Sequence, residues 1–94
     1  VHQWADCELE GVEFLKFPHR HIFHICCKKE VKHDDRDIEI ILLKRKVNSF
    51  LDEMYPKTFG DMSCEMIAKE LATVFELNYC SVLEDNENGA EVIL

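Results

Sequence analysis

The C-terminal segment, residues 79–94, reads YCSVLEDNENGAEVIL, and its pattern decides the class of fold. β-Branched and aromatic residues are frequent from Tyr79 to Glu84, and apolar residues return from Ala90 to Leu94, so both stretches are predicted as strands. The polar run Asp85–Gly89 between them is predicted as a turn, with Asn88-Gly89 as its signal. We therefore expect a β-hairpin at this end of the chain.

Two amphipathic helices are predicted upstream of the hairpin. Apolar residues recur at helical spacing from residue 43 to about residue 54, and Pro56 and Gly60 then end this first helix. Ser63 is a favourable N-cap for a second helix, and Glu65 places a negative charge in its first turn. The buried stripe of the second helix is predicted to consist of Ile67, Leu71, Val74 and Phe75.

A strand rich in histidine is predicted from His19 to about Val31, where the sequence begins HRHIFHICC. Both of its faces are partly apolar, which is typical of a strand in the middle of a sheet. A short first strand is predicted near Val1–Trp4, and Ile38–Leu42 is compatible with a strand or with the start of a helix. The order β-β-α-α-β-β predicts a single α+β domain over residues 1–94, with a four-stranded antiparallel sheet and both helices on one face.

Composition narrows the range of partners. Eleven basic and nineteen acidic residues give a net charge of −8, which disfavours binding to the phosphate backbone of duplex nucleic acid. There is no apolar run of the roughly 20 residues that a membrane helix needs, and no signal peptide pattern, so we expect no membrane partner. The five cysteines have no repeating spacing, and Cys26 and Cys27 would point to opposite faces of a strand. Free thiols in the cytoplasm are therefore expected.

Three groups of side chains are candidates for a site. His19 and His21 would project from one face of a strand about 7 Å apart, a pair that can hold a zinc ion or form a hydrogen-bonded polar core. Glu84 ends a strand, where its carboxylate could accept two parallel hydrogen bonds from the edge of a ligand, or could be a solvated turn residue. Trp4 could stack on a flat ligand or belong to the core. Cys64 lies in the first turn of a helix, where its thiol pKa could be lowered, and is interpreted as a packing residue.

Five short motifs follow one another along the chain: HRHIF at 19–23, EIILLK at 39–44, LDE at 51–53, SCEMIA at 63–68 and VLE at 82–84. The first resembles the His-Gly-His strand of the tetrahydropterin synthases, and the second resembles their Asp-Phe-x-x-Leu-Lys helix start. The remaining three are similar to the Leu-Asp-His, Pro-Thr-x-Glu-x-Ile-Ala and Val-x-Glu motifs of the same family. This T-fold family comprises 6-pyruvoyl tetrahydropterin synthase and its bacterial 6-carboxy-tetrahydropterin relatives.

The resemblance implies a T-fold whose subunits close their sheets into a homo-oligomeric barrel. It also implies a zinc ion held by His2, His19 and His21, and a pterin-type ligand anchored by Glu84. The catalytic residues of the family are not carried over, because residues 14–18 contain no cysteine where the family has its nucleophile. Asp52 and Glu53 stand where the family has Asp-His, so they are candidates for a catalytic base, and the catalytic residues are otherwise left open.

These observations lead to three hypotheses. The favoured one is a small non-catalytic protein that sequesters or senses a purine- or pterin-type heterocycle or nucleotide. The second is a zinc-dependent lyase or synthase acting on a pterin or deazaguanine precursor, with zinc as the cofactor. The third is a structural T-fold that acts through protein–protein contacts. Whether the chain is an enzyme stays open at this point.

Overall fold

The computed structural model of the 94-residue chain describes residues 3, 5, 7–12, 16–17, 19–56 and 58–94. Its secondary structure elements are β1 (Phe23–Lys28), α1 (Ile40–Met54), α2 (Cys64–Val74), β2 (Tyr79–Glu84) and β3 (Asn88–Ile93). The strands form one antiparallel sheet in the order β1-β2-β3, so β2 is central and the other two strands are edges. The molecule therefore belongs to the α+β class, with two helices, as expected.

The prediction of a four-stranded sheet and the order β-β-α-α-β-β is wrong. Within the described ranges the sheet has three strands, and the order is β-α-α-β-β. Of the segment predicted as the first strand, Val1, His2 and Trp4 lie outside the described residues. The backbone N–H of Gln3 donates to the carbonyl oxygen of Gly60 at 2.8 Å, in the connection between the helices. This N–H therefore bonds to a loop and not to the sheet.

β1 is shorter than the predicted strand from His19 to Val31, because side chains take up backbone N–H groups beyond both of its ends. The N–H of Ile22 donates to Oδ1 of Asp85 at 2.9 Å, and that of Glu30 donates to Oδ1 of Asn78 at 2.6 Å. Amides bonded to side chains in this way are not available to a strand ladder. In the sheet that the described residues form, β1 is also an edge strand, so the expectation that it lies in the middle of the sheet is wrong.

The segment Ile38–Leu42, which the sequence leaves open, contains the start of α1. Glu39 is the N-cap, and its Oε2 accepts hydrogen bonds from the N–H groups of Ile41 at 3.0 Å and Leu42 at 3.2 Å. The first amides of a helix have no partner within the helix, so a side chain that accepts from them favours helix over strand.

The core lies between one face of the sheet and the two helices. Ile67 and Leu71 of α2 and Val82 of β2 are at most 1% exposed, and Val47 brings α1 into the same cluster. Alternate residues of a strand share a face. The covered face therefore continues along β2 from Val82 to Glu84, the last residue of that strand.

In the part of the chain that the structure describes, no helix combines the length and the hydrophobicity needed to cross a bilayer.

Candidate functional site

Two of the three histidines predicted as metal ligands, His19 and His21, lie with the predicted anchor Glu84 at one end of the sheet. Glu84 and Phe23 are Cα partners in the pairing of β1 with β2. His21 precedes Phe23 by two residues, and its ring lies 6.2 Å from the Phe23 ring in an edge-to-face arrangement. The Nε2 atom of His21 lies 3.6 Å from Oε2 of Glu84.

The hairpin turn supplies a second carboxylate to this end of the sheet. Asp85 and Asn86 both have positive φ, and the N–H of Glu87 donates to the carbonyl oxygen of Glu84 at 3.0 Å. Two consecutive positive φ angles are typical of a type I′ turn, and Asp and Asn tolerate them better than most residues. Asn88-Gly89, which the sequence indicates as the turn signal, lies in β3. The prediction of the hairpin is thus confirmed, and its turn lies within the predicted range 85–89, but the turn is formed around Asp85-Asn86 and not around Asn88-Gly89.

Three hydrogen bonds of Asp85 link residues 21–22 to the end of β2. Its backbone N–H donates to the carbonyl oxygen of Ile22 at 2.7 Å, and its Oδ1 accepts from the N–H of Ile22 at 2.9 Å. Its Oδ2 lies 2.7 Å from Nδ1 of His21. The hydrogen bonds from His21 and from the Ile22 amide lower the pKa of the Asp85 carboxyl.

The Asp85 contact determines which nitrogen of His21 carries a proton. An ionised carboxylate can only accept hydrogen bonds, so Nδ1 of His21 is the donor in this pair. The other nitrogen, Nε2, faces Glu84. A carboxylate that fixes the tautomer of a histidine is a common arrangement at general-base and metal-binding histidines.

His19 lies beside His21 and is held by a backbone oxygen. Its Nδ1 is 2.8 Å from the carbonyl oxygen of Phe17, and its ring centroid is 4.7 Å from that of His21, with the planes nearly perpendicular. Residues 20–22 and Asp85 also line an open cleft of about 320 Å³ at this end of the molecule. The two histidines and the turn thus form a polar rim beside Glu84.

Cys64 reaches Glu84 from the first turn of α2. Ser63 caps this helix as predicted, its Oγ accepting from the N–H of Met66 at 3.2 Å. The thiol of Cys64 donates to Oε1 of Glu84 at 3.8 Å. Burial, followed by the negative charges of Glu84 and Glu65, raises the pKa of Cys64 to about 11. The helix start therefore does not lower the pKa of Cys64, and the group is a buried, protonated thiol at neutral pH, in line with its interpretation as a packing residue.

An aromatic group lies next to the carboxylates. The rings of Phe23 and Phe59 are 4.8 Å apart at an angle of 66°, and Tyr55 lies 5.1 Å from Phe59. Phe23, the Cα partner of Glu84, is therefore part of a cluster of three aromatic rings.

The remaining predicted site residues are not brought into this cluster. Asp52 and Glu53 are exposed on α1. Glu53 lines a shallow groove with Val74 and Phe75 at the C-terminal end of α2, roughly 16 Å along the helix from Cys64. His2 and Trp4 lie outside the described residues.

Sequence reasoning missed the roles of Asp85 and Cys64. Asp85 was counted only as a turn residue, although an Asp-Asn pair that follows a strand is a signal for consecutive positive φ angles. Such a turn directs the side chain back toward the neighbouring strand. The contact between Cys64 and Glu84 depends on the packing of α2 against the sheet, for which the sequence has no local signal.

The described residues contain no group of three or more His, Cys, Asp or Glu side chains arranged to hold a metal ion. The third predicted zinc ligand, His2, is outside this set, so the three-histidine site stays a prediction. Comparison with protein-family models, with curated proteins and with solved structures finds no match to the chain.

Proposed function

We propose that the chain binds a small flat heterocycle of the guanine or pterin type, free or as part of a nucleotide, at Glu84. The observation that carries the proposal is the position of this carboxylate. It is partly buried at the end of the central strand, beside His21 and Cys64, with aromatic rings on the inner side. The resemblance of residues 19–23 and 82–84 to the tetrahydropterin synthases supports the choice of ligand class.

The Glu84 carboxylate has the chemistry to recognise an amidine edge. Its side chain is 24% exposed, which leaves the oxygens reachable while reducing their contact with water. A carboxylate offers about four lone-pair sites, so the N–H and NH₂ groups of a ligand can add to the hydrogen bond from Cys64. Two parallel charge-assisted hydrogen bonds are both stronger and more selective than neutral ones.

The surroundings of Glu84 are consistent with binding a flat ring. Phe23 pairs with Glu84 across the strands, and Phe59 packs against Phe23. Apolar rings beside a charged group can cover the face of a heterocycle while the carboxylate binds its edge. His21 lies beside Glu84, and its Nε2 could accept a further hydrogen bond from a ligand because the proton is on Nδ1.

Binding without turnover is favoured over catalysis. Cys64 holds its proton at neutral pH because its pKa is raised to about 11, and a protonated thiol is a poor nucleophile. Asp52 and Glu53 lie on the exposed surface of α1. A ligand incubated with the protein should therefore be recovered chemically unchanged, as measured by mass spectrometry. Conversion at a rate above that of a protein-free control would contradict this part of the proposal.

Calorimetric titration of the wild-type chain tests the ligand class. Guanosine and a simple pterin should bind more tightly than adenosine, because adenine lacks the edge on which N–H and NH₂ groups lie side by side. A site built around such a pair rejects analogues that leave its polar groups unpaired. Equal binding of all three compounds, or tighter binding of adenosine, would contradict the proposal.

A second candidate function is a zinc enzyme with His2, His19 and His21 as ligands. One observation favours it: the Nδ1 atoms of His19 and His21 both lie within 2.8 Å of oxygen atoms, those of Phe17 and Asp85. Metal-binding histidines usually donate their second N–H to an oxygen in this way. Elemental analysis should then find about one zinc per chain, and replacing His19 and His21 with Ala should remove it. Protein that takes up no zinc when it is supplied would exclude this candidate.

We also propose that the chain forms a symmetric homo-oligomer in the cytoplasm. Among the described residues, β1 and β3 are the edges of a small sheet, and Ile22 and Ile93 are 70% and 71% exposed near them. Open edges and exposed apolar side chains favour association between copies. Sedimentation at micromolar concentration should give a mass that is a multiple of the 11.1 kDa chain. A monomer under these conditions would contradict the proposal.

A further inference from the structure

Two cysteines face each other in the middle of the molecule, away from the Glu84 site. Cys27 in β1 and Cys80 in β2 are Cα partners in the antiparallel pairing of the strands. Both lie on the face of the sheet that packs against the core. Cys26, the neighbour of Cys27, is on the opposite face and exposed.

The register places Cys27 and Cys80 in a non-hydrogen-bonded pair. At one end of β2 the N–H of Asp85 bonds to the carbonyl oxygen of Ile22, which makes that pair a hydrogen-bonded one. Hydrogen-bonded and non-hydrogen-bonded pairs alternate along an antiparallel ladder. The pair of Cys27 with Cys80 is an odd number of residues along the strands from the pair of Ile22 with Asp85, so it is a non-hydrogen-bonded pair. On the other side of β2, the N–H of Leu94 bonds to the carbonyl oxygen of Asn78, so this carbonyl group faces β3. The carbonyl group of Cys80, two residues further along, also faces β3 and not Cys27, which agrees with a non-hydrogen-bonded pair.

This type of pair brings two cysteines within disulfide distance. Cα atoms of a non-hydrogen-bonded pair are about 4.5 Å apart, and their side chains are closer than in the alternate pairs. Disulfides span Cα separations of roughly 4.4–6.8 Å. A bond between the two sulfurs therefore requires little movement of the strands.

The two thiols are already in contact and differ in acidity. A hydrogen bond from Cys80 lowers the pKa of Cys27, against the opposing effect of burial. The same hydrogen bond and burial raise the pKa of Cys80. Cys27 therefore ionises first, and the thiolate is the reactive form of cysteine.

Cys27 can also be reached from outside. It lines a groove of about 550 Å³ between β1 and α1, whereas Cys80 is fully buried. A small oxidant can thus approach Cys27 through the groove, and Cys80 lies behind it.

We propose that Cys27 and Cys80 are a redox-active pair that a hydroperoxide converts into a reversible cross-strand disulfide. The Cys27 thiolate attacks an oxygen of hydrogen peroxide, the O–O bond breaks, and a sulfenic acid and one water form. The Cys80 sulfur then attacks the Cys27 sulfur, the S–O bond breaks, and a second water leaves. The peroxide is reduced by two electrons, and the protons of both thiols end in the two waters.

The disulfide would link β1 covalently to β2, the central strand. β1 is an edge, and it leads directly from the segment that carries His21. The bond closes a loop of about fifty residues that contains both helices, and long loops gain most from such a link. In a reducing cytoplasm a link of this kind is transient and responds to oxidants, which suits a sensor more than a structural bond.

Peptide mapping of peroxide-treated wild-type protein tests the proposal. The full chain is treated with hydrogen peroxide, alkylated, digested and analysed by tandem mass spectrometry. We expect two of the five thiols to disappear, a link between Cys27 and Cys80, and a rise in Tm on the order of 10 °C that dithiothreitol reverses. Any map in which oxidised Cys27 is not joined to Cys80 overturns the proposal.

Two variants sharpen the result. Cys26→Ser is the matched control, because Cys26 adjoins Cys27 but lies on the exposed face. It should keep both the link and the Tm shift, whereas Cys27→Ser should lose both. A link that disappears in Cys26→Ser would overturn the assignment. The wild-type map does not depend on either variant folding.

Discussion

The Nδ1 atom of His21 lies 2.7 Å from Oδ2 of Asp85, although 64 positions separate the two residues in the chain. The antiparallel register of β1 and β2 brings them together, and the positive φ of Asp85 turns its carboxylate back toward the histidine segment. The contact between His21 and Asp85 therefore depends on both the sheet and the turn. It orients His21 beside Glu84, the residue on which the proposed binding function rests.

Asp85→Asn should make stability less sensitive to acid. The pKa of Asp85 is lower in the folded protein than its ordinary value of 3.8, so its stabilising effect is present above that value. It is lost as the pH falls through the folded-state pKa. Urea midpoints measured from pH 7 downward should thus show a shallower acid decline in Asp85→Asn than in wild type. Asn retains the tolerance for positive φ that the turn requires.

Asp52→Asn is the control for this comparison, since Asp52 is exposed on α1. It should follow the wild-type curve at every pH. Parallel curves for wild type and Asp85→Asn would show that the contact with His21 does not stabilise the folded state.

Glu84→Gln should make Cys64 easier to alkylate. The Glu84 charge is one of the causes that raise the pKa of Cys64 to about 11, so its removal should increase the thiolate fraction. The rate of reaction with iodoacetamide at pH 9, followed at Cys64 by mass spectrometry, should increase several-fold. The exposed Cys26 serves as the internal reference and should react at an unchanged rate. No change at Cys64 would indicate that burial and the charge of Glu65, and not Glu84, raise the pKa of this thiol.

Leu71→Ala should lower the free energy of unfolding by about 2–5 kcal/mol, because Leu71 is 1% exposed in the centre of the core. Val74→Ala, one turn further along α2, removes a side chain that is 48% exposed and should cost much less. Urea denaturation of both variants measures the difference. Similar losses in the two would mean that α2 does not pack on the sheet through Leu71.

Gly89→Ala should destabilise the hairpin by about 1–3 kcal/mol. A Cβ atom at Gly89 would overlap the carbonyl oxygen and Cα of the facing strand, at Val82 and Leu83. Thermal denaturation should therefore show a lower Tm for Gly89→Ala, while the neighbouring exposed Asn88→Ala should stay close to wild type. Equal Tm values would contradict the close approach of β3 to β2.

The elements that follow from local patterns could be predicted, and those that depend on distant contacts could not. The helix capped by Ser63 and the strand Tyr79–Glu84 are visible in sequence periodicity and capping chemistry. The strand limits of β1 are not, because the amide of Ile22 bonds to Asp85, 63 positions away. No local propensity at Ile22 reports a partner so far along the chain.

The candidate site shows the same division. The residue types together with the family resemblance predict His21 as a zinc ligand and Glu84 as the anchor of a heterocycle, and the structure places the two side chains 3.6 Å apart. The pairing of Cys27 with Cys80 has no local signal in the sequence. It depends on the register of β1 and β2, and both helices lie between these two strands along the chain. Register is set by the packing of a whole face and by turn geometry, neither of which is a local property.

Titration of guanosine into the wild type, Glu84→Gln and Glu87→Gln tests the central claim most directly. Gln keeps the shape of Glu84 but loses its charge and one acceptor, so binding should weaken by roughly 100-fold. Glu87 is an exposed carboxylate in the adjacent turn, and its Gln variant should bind as wild type does. Tight wild-type binding that is lost only in Glu84→Gln is the predicted result. Equal affinity in all three proteins, or no binding to the wild type, would contradict the claim that Glu84 anchors a heterocycle.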